Sequence, residues 1–307
     1  MEVRISSTFP VRLARAAVGL GVFLCAARAA EPTQAGVRYG PHERHVLDFW
    51  KAASGQPTGV LVFFHGGSFK GGDKRSFAAR APEFLDAGIS VVSANYRFSG
   101  QAVYPGPMLD GARVVQFVRS KAKEWNLDPS RIAVSGSSAG AAMALWIALH
   151  DDLASPRSQD PIERISTRVA CASVRNGATS MDPELITKLF GAQNFGAMLA
   201  LFGARNTEEF RTPEFREKAL DASAVSHLSR DDPPLFLWHG GGLTPMPTAA
   251  EAKLGEWIHH ARFGELLKEK CDRLGVECHF YHRGRPAPEG AEIAFLRACF
   301  QAAGKPR

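Results

Sequence analysis

The chain has 307 residues, of which 45% are apolar, 22% charged and 9% aromatic. This composition excludes a disordered chain, a collagen-like fibre and a disulfide-stapled miniprotein, and it leaves room for one large α/β domain or two small ones. The net charge of +6 is partly N-terminal. Outside residues 1–29, 33 basic residues face 30 acidic ones with no basic block among them, which argues against nucleic acid as a partner.

Arg4, Arg12 and Arg15 precede an apolar run from Ala16 to Ala27, and Ala27-Arg28-Ala29 supplies small residues at the spacing a signal peptidase reads. The run is too short for a stable membrane anchor, which needs about 20 residues. The expectation is a cleaved export signal over residues 1–29 and a mature domain over 30–307, periplasmic or extracellular and away from the membrane. A retained interfacial helix is the competing reading. Cys171, Cys271, Cys278 and Cys299 would remain after cleavage. One bridge among the last three, or buried free thiols, are both open, because spacing does not fix pairing. No CxxC or Cys/His spacing indicates a metal.

Strands and helices then alternate. Val37 to Trp50 reads as one or two antiparallel edge strands. Gly59–His65 and Ile89–Asn95 read as buried strands, and Leu109–Lys123 as an amphipathic helix. Asp128-Pro-Ser-Arg reads as a turn, Ile132–Ser135 as a strand and Ala139–His150 as a buried helix. Val169–Val174 and Leu235–His239 follow as strands. Phe263–Leu274 reads as a helix, Val276–Tyr281 as a strand and Ala291–Ala302 as a closing helix. Such alternation argues for a mostly parallel sheet covered by helices on both faces. Residues 177–232 break the rhythm with a helical, loop-rich stretch. It reads as a small cap or lid inserted between two strands, against the plainer reading of a surface excursion.

The strongest motif is Gly136-Ser137-Ser138-Ala139-Gly140, a G-x-S-x-G sequence set between a strand and a helix. That context makes a nucleophile elbow, in which a sharp turn exposes the Ser138 hydroxyl and the helix behind it offers the free backbone N–H of Ala139. His65-Gly66-Gly67-Ser68-Phe69 ends an earlier strand as an HGG-type turn. Its backbone N–H groups, Gly67 first and Gly66 or Ser68 next, are candidates for an oxyanion hole. His65 reads as a residue that fixes this turn.

At these residues the chain resembles the α/β-hydrolase superfamily, in the esterase/lipase branch with its hormone-sensitive-lipase-like and feruloyl-esterase-like members. The resemblance is carried by His65 to Lys74, Asn95-Tyr96-Arg97, Asp128-Pro-Ser-Arg-Ile and the elbow, and it runs over about residues 37–302. It implies the α/β-hydrolase fold, ester hydrolysis by a Ser-His-acid triad, and no metal or organic cofactor. It also implies a small-molecule or polysaccharide-linked ester as substrate.

The family places its acid in an HG-x-x-D pattern after the strand that is here Leu235–His239. This chain reads His239-Gly240-Gly241-Gly242-Leu243, so Leu243 stands where an aspartate is expected. Asp182, after strand Val169–Val174, is the leading substitute, with Glu251 and Glu256 behind it. An N-terminal helix cap before Pro183 is the alternative role for Asp182. For the base, His282 lies near the family's position, while His260 lies in a loop that topology brings to the same sheet edge. His259 ranks behind both.

The expected function is therefore an exported serine carboxylesterase, acting through an acyl-enzyme on groups such as acetyl or aromatic acyl on polysaccharide. The missing aspartate keeps open a catalytically impaired, ligand-binding protein of the same fold. An exopeptidase or amidase on that fold is a third reading.

Overall fold

The structure is a computed structural model, and it describes residues 29–246 and 257–303. The expected signal segment falls outside these residues up to position 28, and so do Glu251 and Glu256.

Eight strands form one sheet: β1 (Gln34–Arg38), β2 (Val46–Trp50), β3 (Thr58–Phe64), β4 (Ser90–Ala94), β5 (Leu127–Ser137), β6 (Cys171–Arg175), β7 (Leu235–His239) and β8 (Cys278–His282). Their order is β1-β2-β4-β3-β5-β6-β7-β8. The β1/β2 and β2/β4 pairs are antiparallel and every later pair is parallel. The early stretch thus forms two antiparallel strands, but only β1 lies at the edge. The expected Asp128–Arg131 turn is present as a protrusion within β5. Asp128 Oδ1 accepts the Ser130 N–H at 2.9 Å, and the pairing with β3 jumps from Leu127 to Ile132 across it.

Strand side chains divide by parity, as a pleated strand requires. Val60, Val62 and Phe64 enter one core, and Leu61 and Phe63 the other. Ile132 and Val134 oppose Ala133 in the same way, and Leu235 and Leu237 oppose Phe236. The smaller core is closed by α1 (Ala81–Asp86) and by the C-terminal helix Ala291–Ala303, through Phe84, Phe295 and Phe300. The larger core is closed by α2 (Gly106–Ser120), α3 (Ala122–Trp125) and α4 (Ala139–Leu149). All of α4 is buried, which explains its unbroken run of Ala, Met, Leu, Trp and Ile.

Between β6 and β7 lie five short helices: α5 (Pro183–Phe190), α6 (Ala197–Phe202), α7 (Thr207–Phe210), α8 (Pro213–Asp221) and α9 (Ala224–His227). Phe190, Phe195, Phe202 and Phe210 are buried in this segment, and their rings pack on one another or on Trp257. After β7, α10 (Arg262–Leu274) precedes β8, and the C-terminal helix becomes α11. Among the described residues no helix is long and apolar enough to cross a membrane. Cys171, Cys271, Cys278 and Cys299 are free thiols, and Cys278 alone is not fully buried.

Glu292 at the start of α11 is buried beneath the sheet. It accepts hydrogen bonds from Ser173 Oγ at 2.8 Å, Arg175 Nη2 at 2.6 Å and Arg80 Nη2 at 3.0 Å. These partners outweigh the cost of burial and hold its carboxyl below the usual range. The stabilisation is therefore complete above the ordinary carboxylate pKa, and it is lost as pH falls through the lower folded value. Glu292→Ala is expected to cost about 3 kcal/mol at neutral pH in urea denaturation. The difference from wild type should shrink toward acid pH, where the wild-type carboxyl also protonates.

Candidate active site

The parallel register brings the C-terminal ends of β3, β5, β6 and β7 abreast. Phe64 pairs with Gly136, Ser137 with Arg175, and Arg175 with Trp238. The residues leaving these strands, among them His65, Ser138, Asn176 and Gly240, therefore crowd one edge of the sheet.

Ser138 sits at φ 53° and ψ −115°, a strained conformation for a residue with a Cβ. Its N–H donates to the Arg175 carbonyl at 2.9 Å, and its own carbonyl accepts from Ala142 N–H at 3.0 Å as α4 begins. Gly140 makes this turn feasible. A Cβ there would lie 2.0 Å from the Phe64 carbonyl oxygen, so only glycine lets the helix approach β3 this closely.

The approach sets Ser138 against the HGG turn. A Cβ on Gly66 would lie 3.3 Å from the Ser138 Cβ. Gly67 takes φ 112°, and its carbonyl accepts from Lys70 N–H and Gly71 N–H at 2.9 and 3.0 Å. His65 clamps this loop from below. Arg44 Nη2 lies 3.4 Å from His65 Nε2, and a guanidinium only donates, so the proton resides on Nδ1. Nδ1–H then donates to the Gly66 carbonyl at 2.7 Å. Burial lowers the His65 pKa and favours this neutral form. The ring stacks on Tyr96, whose hydroxyl donates to the His65 carbonyl at 2.7 Å. Asn95 and Asp73 extend the clamp: Asn95 Oδ1 accepts from Lys74 N–H at 2.6 Å, and Asn95 Nδ2 donates to Asp73 at 3.1 Å. Ala139, as the first residue of α4, has a backbone N–H with no acceptor inside the helix.

His259 completes the pair: Ser138 Oγ lies 2.8 Å from its Nε2. Burial alone pushes the His259 pKa down, so the imidazole is neutral at neutral pH and Nε2 can accept the hydroxyl proton. His239 supports the loop that carries it. Its Nδ1–H donates to the His259 carbonyl at 3.3 Å, and burial, with the neighbouring histidines, lowers its pKa to about 4.

The histidine beside Ser138 thus differs from the two leading sequence candidates. His260, one residue on, turns the opposite way. Its Nδ1 accepts the Arg262 N–H at 3.1 Å, its Nε2 faces the Pro245 carbonyl at 3.4 Å, and its ring packs on Phe190. His282 is the last residue of β8, paired with His239, and its Nδ1 accepts the Gly284 N–H at 3.1 Å. Asp182 caps α5 by accepting the Glu184 N–H at 3.1 Å, and it pairs with Arg216. Among the described residues no carboxylate bonds to His259. Asn176, which the sequence reading did not single out, takes φ 54° at the end of β6 and accepts the Gly240 N–H at 2.8 Å through Oδ1. Its place directly after a strand at the elbow edge is the signal that would have found it.

A cavity of about 210 Å³ opens on Ser138 and His259. The HGG turn contributes Ser68 and Phe69, the elbow helix Ala139 and Ala142, and the inserted helices and their flanks Met181, Phe195, Met198 and Leu201. Apart from Ser68, Ser138, Asn176 and His259, the lining is apolar.

This sheet order, elbow and histidine define an α/β-hydrolase of the esterase/lipase branch. The BD-FAE family profile matches residues 47–258, and the chain belongs to that family. It is 32% identical over 209 residues to the probable carboxylic ester hydrolase LipM of Mycobacterium tuberculosis, covering 66% of this chain and 46% of the relative. It is 28% identical over 218 residues to the esterase LipQ of the same organism, covering 69% and 49%. The chain thus spans about half the length of these curated relatives. Among solved structures, a truncated carbohydrate esterase from gut microbiota superposes with TM-score 0.70 at 19% identity, covering 90% of this chain and 98% of the other. An acetyl ester-xyloside bifunctional hydrolase from Caldicellulosiruptor lactoaceticus superposes with TM-score 0.63 at 22% identity, covering 84% and 86%.

The geometry predicts how Ser138 reacts with a fluorophosphonate, which needs no matched substrate. His259→Ala is expected to slow labelling about 10²–10⁴-fold, while His260→Ala and His282→Ala stay within about tenfold of wild type. The wild-type rate should fall at acid pH with a midpoint below the ordinary histidine value of 6.5, because protonated His259 accepts no proton. A midpoint above 6.5 would mean that a carboxylate partner raises the His259 pKa by more than burial lowers it.

Proposed function

We propose that this chain is an exported serine carboxylesterase that removes short acyl groups, of the kind carried by polysaccharides, through an acyl-enzyme. The single observation that carries this reading is the 2.8 Å approach of Ser138 Oγ to His259 Nε2 at the floor of an apolar cavity. Neutral His259 takes the hydroxyl proton as Oγ attacks the ester carbonyl. The Ala139 N–H and the backbone N–H groups of the Gly66-Gly67 turn receive the developing oxyanion. Imidazolium then protonates the leaving alcohol, and water repeats the sequence on the acyl-enzyme.

The cavity supports a short acyl group. At about 210 Å³ it is smaller than the roughly 300–1,000 Å³ usual for drug-sized ligands. The carbohydrate side of the reading is supported by the names of the two structural relatives, and export by the arginine-rich, apolar N-terminal sequence. With Leu243 in place of the expected aspartate, the segment before His259 offers Glu251 and Glu256 as the carboxylates to hold its tautomer.

The test is hydrolysis of p-nitrophenyl esters from acetyl to decanoyl by the purified protein, beside Ser138→Ala. Expected is activity lost in Ser138→Ala, with kcat/KM highest for the acetyl to butyryl esters and falling for longer chains. Turnover indistinguishable from Ser138→Ala on every ester would overturn the esterase reading and favour a ligand-binding protein. Faster turnover of aminoacyl anilides than of esters would favour the amidase. On the best ester, one of Glu251→Gln and Glu256→Gln is expected to lower kcat by about 10⁴-fold, as loss of a triad carboxylate does. Unchanged kcat in both would mean that His259 works without either.

A further inference from the structure

α10 and β8 meet at the outer edge of the sheet, and each brings one cysteine to the contact. The buried face of α10 consists of Phe263, Gly264, Leu267 and Cys271, spaced as one side of a helix. Along β8 the side chains alternate. Cys278 and Phe280 turn to the larger core, while His279 and Tyr281 turn to Phe295 and Phe236 of the smaller one. The helix lies close on the strand, since a Cβ on Gly264 would lie 2.5 Å from the Phe280 ring. Two turns further along α10, Cys271 faces Cys278. The chain between them reverses tightly: Gly275 takes φ 75°, and Val276 N–H donates to the Cys271 carbonyl at 3.0 Å.

Each of these thiols is influenced by the other more than by any other group. The contact between them lowers the Cys271 pKa and raises that of Cys278, so Cys271 is the readier thiolate. Cys271 is closed off from solvent, whereas Cys278 is half-buried. The accessible thiol and the more acidic one are thus two members of one pair. Cys171 of β6 and Cys299 of α11 are also neighbours, but both lie buried within the smaller core.

We infer that Cys271 and Cys278 form a disulfide when the folded chain meets a disulfide oxidant, a setting that rests on the proposed export. Cys278 loses its proton to solvent, and its sulfur attacks the oxidant's disulfide and expels one thiolate. The Cys271 thiolate then attacks the Cys278 sulfur of the mixed disulfide, which closes the bridge and expels the second thiolate. Two electrons and two protons leave the cysteine pair, and the oxidant ends as two thiols. The bond staples α10 to β8, the last strand of the sheet.

The test equilibrates the full chain with oxidised and reduced glutathione in varied ratio. The protein is then alkylated under denaturing conditions, digested and mapped by mass spectrometry, with thermal unfolding followed in parallel. The expected map has Cys271 linked to Cys278 and Cys171 and Cys299 alkylated. The Tm of the oxidised protein should lie roughly 5 °C above that of the reduced protein. That gain should vanish in Cys271→Ala and Cys278→Ala and persist in Cys171→Ala. Alkylation of both Cys271 and Cys278 in excess oxidised glutathione would overturn the inference. Glutathione adducts without a bridge, or a bridge to a different cysteine, would do the same. Should an alanine variant fail to fold, the wild-type map decides alone. Cleavage after Ala29 and Ser138-dependent ester hydrolysis, read on protein from a bacterial host, are independent of the bridge. Their failure would overturn the proposed function and leave the pairing standing, whereas a missing bridge in an active, processed enzyme would overturn the pairing alone.

Discussion

The close approach of α4 to β3 is the constraint on which the site rests. With the Gly140 backbone against the Phe64 carbonyl, the helix start and the HGG turn cannot move independently. Ser138 bears the backbone strain of that contact, and its hydroxyl is held clear of the turn as a result. The cost is offset by the burial of α4, every residue of which lies in the core. A sequence that packs its nucleophile helix so completely can hold one residue in a poor conformation. The clamp of His65, Tyr96 and Arg44 serves the same end on the other side of the cavity. It fixes the peptide at Gly66 without a charge pointing at the oxyanion position, because His65 is neutral and its proton is spent on a carbonyl.

Charge at the site is likewise controlled by burial. His259 has its pKa lowered by desolvation, and so does His239 behind it. Desolvation makes a histidine a weaker base, which opposes proton abstraction, but it also favours the unprotonated imidazole that can accept a proton. A carboxylate on Nδ1 would restore basicity in the transition state, where the ring becomes positive. With Leu243 at the position where the family carries its aspartate, the proposed mechanism places that requirement on Glu251 or Glu256, nearer in sequence to His259.

Much of this was legible in the sequence because it depends on local order. Strand parity, the apolar run of α4 and the G-x-S-x-G elbow are each encoded within about a dozen residues, and β7 begins and ends where its residues indicate. The choice among histidines was harder. His259 and His260 are neighbours with the same local sequence, and only the packing of the turn before α10 sends one ring to Ser138 and the other to Phe190. Asp182 looked catalytic because it follows a strand at the correct edge. The Pro183 that follows it signals a helix start, and its carboxylate is spent on the Glu184 N–H and Arg216.

The inserted helices relate to the reaction through packing more than through chemistry. They contribute apolar walls to the cavity but neither member of the Ser138–His259 pair. Their own core of phenylalanines is continuous with that of the main domain through Trp257 and Phe263. Trp257 lies two residues before His259 and packs on Phe195, so side chains that shape the cavity also bear on the segment that carries His259. A change in the aromatic packing of this segment would therefore alter both cavity size and the position of Nε2. Cavity size and the position of His259 Nε2 are therefore physically coupled in this fold, and they cannot be tuned through these residues one at a time.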